Sequence, residues 1–567
     1  MTDQNRRWLV TIIALLSIVF GVFALGRPYW TLESVPIWLA LVALLLVLWQ
    51  GSILHRSVVG IIALSVAVTL VVARDAAIEL LVYSVLAYAL FSGIHAISRL
   101  ANRDWGRATL GVSLVLLAIL GAYWIDVASI TIGLLIGPVF IVLSAMMLNR
   151  VWRGGDASTA PRQPVQALSR AGRIGSVVLL LVMLLGTYGT YRAILAQPGL
   201  DSFTDYSEPL GDEPGVLLRA TPFTRAMPED TVATRILYTT SGRDGSIVLA
   251  TGLVIVPIIS QDEPLPVVLW AHGTTGIAVT CAPTLLNNPL EAGAMLFPER
   301  ALDQGWAIVA PDYLGLGASE PHPYIVGVPA AQSSLDAVRA ARQVDTVSLA
   351  ENTVVWGHSQ GGGTALWIGI EQASYAPDVP LLGIVAMAPA SNLPEFIDTL
   401  LAGPAGPIFG GYIMRGYADW YDDVDADTYV RRGARFSQEN IVKRCLSEPS
   451  ILASVASALI FEPFTHADVH TGPLFQRLQE NVPVGEFGAP LLLGQGGADS
   501  LITPAAQDHY VETLCGQGQV VDYRVYDGLD HMPLVEEDSP MLDDLISWTQ
   551  ARFAGEPAID ECAITAR

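Results

Sequence analysis

Apolar residues follow two regimes along the chain. Up to about residue 198 they form long stretches, at about 8–26, 35–54, 57–73, 76–97, 108–125, 127–148 and 174–195. Each is long enough, or nearly so, to cross the roughly 30 Å hydrocarbon core of a bilayer as a helix rising about 1.5 Å per residue. Any one of them could be a buried helix of a soluble protein. Seven in succession, with few charges between them, predict a multi-pass α-helical membrane domain. Beyond Gln197-Pro198-Gly199 the apolar runs shorten. Strands are predicted at 235–240, 247–256, 267–271, 307–310, 354–357, 383–388, 490–493 and 520–525, separated by helical periods such as 333–343 and 361–372. Several of these runs do not alternate polar with apolar, as expected of strands covered on both faces, and the βα alternation predicts a mostly parallel sheet with helices on both faces.

Charge divides the chain at the same place. Residues 1–198 hold 14 Arg and 7 acidic residues (14 − 7 = +7), and residues 199–567 hold 17 basic and 47 acidic residues (17 − 47 = −30). A chain this apolar is not disordered, and an acidic surplus excludes a nucleic-acid partner. With the N terminus in the cytoplasm, the inner segments collect Arg6, Arg7, Arg56, Arg99, Arg103, Arg107, Arg150, Arg153, Arg162, Arg170 and Arg173, whereas the outer loops hold only Arg27 and Arg74. That asymmetry predicts a bacterial plasma-membrane protein whose seven spans deliver residues 199 onward outside the cytoplasm. A cleaved first span, with Ala24-Leu25-Gly26 as a poor processing site, would leave six spans and the same outcome. The first six spans form three hairpins of about 50 residues, with Asp75 and Asp126 early in the second and third. No paired carboxylates, Arg ladder or broken helix suggests a pump, and Glu79 near a span end reads as interfacial. The expected division is a six-helix domain at 1–153, a linker and seventh helix at 154–198, and a soluble domain at 199–567.

The chemistry begins at Thr353-Val354-Val355-Trp356-Gly357-His358-Ser359-Gln360-Gly361-Gly362. This is a strand, then Gly-x-Ser-x-Gly, then a helix start, the context in which a strained turn exposes a nucleophilic serine. A serine hydroxyl needs a base, and the base an orienting carboxylate, arriving after later strands in the order Ser, acid, His. Asp499 lies in Gly496-Gly497-Ala498-Asp499 after the strand at 490–493, and His531 in Gly528-Leu529-Asp530-His531 after the last strand. Asp527 and Asp530 are rival acids, and Asp499 could instead cap the following helix. Of the other histidines, His358 sits inside the elbow, pointing away from the base position, and His509 in a helix before the last strand. Oxyanion donors are expected at the backbone N–H of Gln360 and in the loop His272-Gly273-Thr274-Thr275-Gly276, with Thr274 preferred and Gly273 or Thr275 open. Asp312 reads as a structural turn residue. No metal-ligand spacing, phosphate loop or dinucleotide fingerprint appears, so neither a metal nor a cofactor is implied.

Residues about 215–567 resemble the secretory lipase family. The resemblance rests on His272-Gly-Thr-Thr-Gly followed by Cys281-Ala282-Pro283, on Asp312-Tyr313-Leu-Gly-Leu-Gly, on the Gly357–Gly362 elbow and on the Asp499 and His531 loops. It implies an α/β-hydrolase domain that cleaves lipid or other acyl esters beneath a helical cap, with Ser359, Asp499 and His531 as triad; the His-Gly-Thr-Thr-Gly loop departs from the acidic donor of the fungal type. The cap is expected at about 391–488, where aromatic and apolar segments exceed any ordinary loop. Of the three pairings open to four cysteines, the resemblance implies Cys281–Cys445 and Cys515–Cys562. Residues 8–153 resemble small HdeD-like membrane proteins, with no motif that carries a function. The expectation is a membrane-tethered extracytoplasmic serine ester hydrolase. A serine peptidase or acyltransferase is the enzymatic alternative, and a membrane stress or sensor protein the non-enzymatic one.

Overall fold

The computed structural model describes residues 3–49, 68, 72–98, 105–152, 169–259, 263–290, 295–318, 321–459, 462–465, 468–560 and 562. The expected third span and the Gly154–Pro164 loop lie largely or wholly outside these residues, as do Arg56, Arg99, Arg103, Arg153 and Arg162. The chain divides into two compact units, one of residues 1–195, 430–440 and 452–466, the other of residues 196–429, 441–451 and 467–567.

The first unit contains helices α1 (Asp3–Phe23), α2 (Pro28–Trp49), α3 (Arg74–Ser98), α4 (Trp105–Tyr123), α5 (Ile125–Trp152) and α6 (Arg170–Ala196). Among the described residues, Asp75–Ser98, Trp105–Tyr123, Ile125–Trp152 and Arg170–Ala196 are long and apolar enough to cross a membrane. Helix α2 starts at Pro28, ahead of the apolar stretch that announced it, because proline's missing N–H costs nothing in a first turn. Glycine lets backbones meet. A Cβ on Gly93 would stand 2.6 Å from the Gly111 carbonyl oxygen and one on Gly111 2.7 Å from that of Gly93, while Gly21 and Gly137 are related in the same way at 2.8 Å. Such small-residue contacts hold helices together where no hydrophobic effect can. The Gly93–Gly111 pair joins the second and third hairpins of the expected repeat, and the Gly21–Gly137 pair the first and third, so neither joins the two arms of one.

Two segments from far down the chain complete this unit. Glu462 accepts hydrogen bonds from the backbone N–H groups of Tyr29 (2.8 Å) and Trp30 (3.0 Å), capping the first turn of α2, where such donors lack intrahelical partners. Glu33 accepts from the Gly433 N–H at 3.1 Å, and Asp75 pairs with Arg432 (2.7 Å) and Arg435 (3.2 Å).

The second unit is built on a nine-stranded sheet: β1 (Leu217–Phe223), β2 (Thr231–Ser241), β3 (Ile247–Pro257), β4 (Leu265–Ala271), β5 (Ala307–Pro311), β6 (Leu349–His358), β7 (Leu381–Met387), β8 (Leu491–Gly496) and β9 (Val521–Tyr526). Their order is β1-β2-β3-β5-β4-β6-β7-β8-β9, antiparallel from β1 to β5 and parallel from β5 to β9. Side chains alternate across it. Val267, Leu269 and Ala271 join helices 327–341, 360–375 and 504–516 in one core, and Val268 and Trp270 join helix 540–553 in the other. Eight strands sit where the sequence places them. The ninth, β1, holds Pro222, which argues against a central strand but is tolerated at the sheet edge it occupies.

Between β7 and β8 the chain inserts helices at 393–402, 411–420, 435–441, 451–458 and 473–480. The portion in the second unit is fastened over the loop after β4. Cys281 is bonded to Cys445, the Leu446 N–H donates to the Thr275 carbonyl at 2.8 Å, and Tyr412 packs edge-on against Tyr324. Cys515 is bonded to Cys562. These are the pairings the resemblance implies. The bridges span 164 and 47 residues of sequence. In the chain-entropy model the longer loop adds about 1 kcal/mol more. Replacing Cys281 and Cys445 by Ser should therefore lower the unfolding midpoint further than replacing Cys515 and Cys562, as read by denaturant unfolding of the detergent-solubilised chain.

Candidate active site

Strand β6 carries the chain into the elbow, and the glycines there answer to contact. A Cβ on Gly357 would overlap the carbonyl oxygen of Gly361, and a Cβ on Gly361 would overlap that of Ala271. Between them Ser359 takes φ 59° and ψ −120°, a backbone conformation an L residue adopts only when its surroundings hold it there. The helix at 360–375 begins at once, so the Gln360 N–H is one of the first-turn donors no helical carbonyl can reach.

Three loops bring their residues to this turn. The His531 ring takes up Ser359 Oγ at 2.9 Å through Nε2 and Asp499 Oδ2 at 2.8 Å through Nδ1. Nε2 faces a hydroxyl it can deprotonate when Nδ1 carries the ring proton and donates it to the carboxylate. Asp499 is buried, and its other oxygen accepts from the N–H groups of Leu501 (2.9 Å) and Ile502 (2.8 Å), which fixes the plane of the carboxylate. The rival Asp530 is committed elsewhere. Its Oδ1 accepts from the N–H groups of Ser500 and His531, both at 2.8 Å, and these backbone bonds hold its pKa below the usual carboxylate range. Asp527 takes no part in the relay that links Ser359, His531 and Asp499.

The loop after β4 is anchored through His272. Its ring stacks on Tyr313 with centroids 4.0 Å apart, Nε2 lies 3.1 Å from the Asp312 carbonyl, and the Tyr313 hydroxyl donates to the His272 carbonyl at 2.9 Å. Burial lowers the His272 pKa, opposed by the Asp312 and Gly273 carbonyls that its two ring nitrogens face. Asp312 is buried and accepts from Thr251 Oγ1 (2.5 Å), Thr284 Oγ1 (2.6 Å) and the Thr284 N–H (3.0 Å), so it has the structural part expected of it. Thr274 is nearly buried, with its hydroxyl 2.8 Å from that of Tyr324.

Two further histidines shape the site in ways the sequence did not announce. His358 does not simply point away: its ring lies 4.7 Å from the His531 ring, and its Nε2 is 3.2 Å from the His531 carbonyl, to which it donates. Burial holds its pKa well below the ordinary value, so it stays uncharged beside the base. His322 lies 2.8 Å through Nδ1 from the Leu314 carbonyl and 3.2 Å through Nε2 from the amide nitrogen of the Gln360 side chain. Its pKa is pushed down to about 4 by burial, which leaves Nε2 free to accept. Among the described residues no cluster of His, Cys, Asp or Glu could hold a metal ion.

A parallel sheet, a strained serine between strand and helix, and acid and histidine loops after later strands define an α/β hydrolase. The comparisons narrow the class. The family model "Secretory lipase" matches residues 290–561, just under half of the chain, and this segment is similar to that family. A probable inactive lipase of Mycobacterium tuberculosis is 25% identical over 393 residues, covering 64% of this chain and 84% of its own. Lipase 6 of Candida albicans is 24% identical over 343 residues, covering 54% and 69%. Candida antarctica lipase A in its closed state superimposes with a TM-score of 0.52 at 18% identity, over 61% of this chain and 84% of its own, a likeness of fold.

The two carboxylates beside His531 can be told apart. Asp499→Asn should lower esterase turnover by about four orders of magnitude, by forcing the wrong imidazole tautomer. Asp530→Asn should cost less than about tenfold, because it leaves the relay intact. Steady-state kinetics on a short p-nitrophenyl ester gives both numbers, and equal losses would refute the assignment of the acid.

Proposed function

We propose that this protein is a membrane-tethered, extracytoplasmic serine hydrolase of carboxylic esters, acting on lipids or related acyl esters through an acyl-enzyme. The observation that carries the reading is the unbroken relay from Ser359 Oγ through His531 to Asp499, at 2.9 and 2.8 Å. Ser359 Oγ attacks the ester carbonyl while His531 Nε2 takes its proton. Asp499 stabilises the imidazolium that results. The oxyanion of the tetrahedral intermediate receives the N–H of Gln360 and one from the Gly273–Thr274 segment, donors worth about 3 to 4 kcal/mol each where they have been removed from other enzymes. His531 then protonates the departing alkoxide, and a water activated by the same imidazole releases the acyl group.

The name of the mycobacterial relative describes it as inactive; here all three relay members are in place, which favours activity over a ligand-binding role. Ser359→Ala should abolish hydrolysis of a short p-nitrophenyl ester and labelling by a fluorophosphonate while leaving thermal unfolding unchanged. His531→Ala should fall by orders of magnitude, and combining it with Ser359→Ala should add little, because the groups act as one unit. Additive losses would mean different partners.

The arginine asymmetry and the apolar helices support an N terminus in the cytoplasm and a hydrolase domain outside it. Protease added to intact cells should remove the chain beyond Gln197, whereas a tag inserted at residue 160 should survive. Protection of the hydrolase domain would reverse the orientation.

A further inference from the structure

The helix Ile451–Ala458, in the insertion between β7 and β8, is amphipathic in the wrong sense for a protein in water. Its buried positions are small or polar: Ser454 is 0% exposed, Ser457 1% and Ala458 8%. Its large apolar residues face outward, Leu452 at 70%, Val455 at 40% and, just past its end, Leu459 at 62%. These recur at i, i+3 and i+7, which is one face of a helix. Residues 449–461 contain no charged residue. The lipid-side leucines of the spans have the same exposure, for example Leu80 at 66% and Leu185 at 71%.

A second observation says what covers this face. Residues 452–466 belong to the compact unit of the membrane helices, and Glu462 is bonded to the first-turn N–H groups of α2. Glu462 is three positions after Leu459, so their Cα atoms are at most about 11 Å apart. The exposed face therefore starts within a few residues of the carboxylate that caps the first turn of α2.

We propose that the helix 451–458 is an interfacial anchor: Leu452, Val455 and Leu459 enter the boundary between headgroups and acyl chains of the leaflet at which α2 begins. Under the orientation proposed above this is the outer leaflet, the side on which the hydrolase domain meets its substrate. The partner is the lipid surface itself, recognised by shape and apolarity rather than charge.

The test uses the full chain in phosphatidylcholine vesicles. Every native cysteine is in a disulfide, so Leu452→Cys, Leu459→Cys and the exposed helix position Ser547→Cys as control each accept one environment-sensitive fluorophore. Lipids carrying a spin label on the acyl chain should quench the probes at 452 and 459 about threefold more than the probe at 547, and aqueous iodide should quench them less. Equal quenching at all three positions would overturn the proposal. So would protection at 452 and 459 from both quenchers, which would mean that another protein or a second copy covers the face. The readout needs no turnover, and the same pattern is expected in a Ser359→Ala background, so a failed anchor and a failed esterase assignment are separate results.

Discussion

The approach of two backbones, at Gly361 and Ala271, is the constraint on which the hydrolase unit depends. A helix can begin one residue after Ser359 only if its first turn lies against the end of β4, where no room remains for even a methyl group at residue 361. That contact has two consequences at once. It holds Ser359 in a conformation whose hydroxyl meets the His531 loop, and it sets the start of the His272–Gly276 loop against the first turn of the helix that follows the nucleophile. The buried supports serve to keep the contact in place. Asp312, Thr251 and Thr284 tie β3, the end of β5 and the loop after β4 together, while Tyr313 grips His272 by stacking and by its hydroxyl.

The relay was legible in the sequence because its members obey local rules. Gly357 and Gly361 are required by a turn that is complete within five residues, and Asp499 and His531 each follow a strand that the apolar pattern already marks. What escaped notice is non-local. Nothing near residue 322 shows that its imidazole will accept from the side chain of Gln360, and nothing near residue 358 shows that it will lie against the base. Both histidines are uncharged because of what buries them, and burial is a property of the packed sheet rather than of the neighbouring letters. Strand β1 was hidden for a different reason. Pro222 breaks the ladder on one side, and only the position of that strand at the sheet edge makes the break harmless.

The insertion between β7 and β8 answers to two sets of partners. Cys445 and Leu446 hold one part to the loop after β4, whereas Glu462, Gly433 and Arg432 make their bonds to the starts of membrane helices. Hydropathy could announce an insertion of this length but not its division, because the division rests on single carboxylates meeting single N–H groups far away in the chain. It also ties the insertion to more than one helix of the first unit, since both Glu33 on α2 and Asp75 on α3 receive partners from it.

Charge explains why such partners are needed. Residues 199–567 carry 17 − 47 = −30, and any anionic lipid surface would repel a domain of that sign over the Debye length of about 8 Å at physiological ionic strength. A peripheral lipase can approach lipid through a basic patch; residues 199–567 have one lysine, Lys443, and 16 arginines against 47 acidic residues. Under the proposed function, contact with lipid comes from elements insensitive to that repulsion: the long apolar helices of the first unit and the uncharged apolar face of helix 451–458. In that reading the acidic surface keeps the hydrolase unit from adhering along the membrane, and the apolar attachments hold it near its substrate.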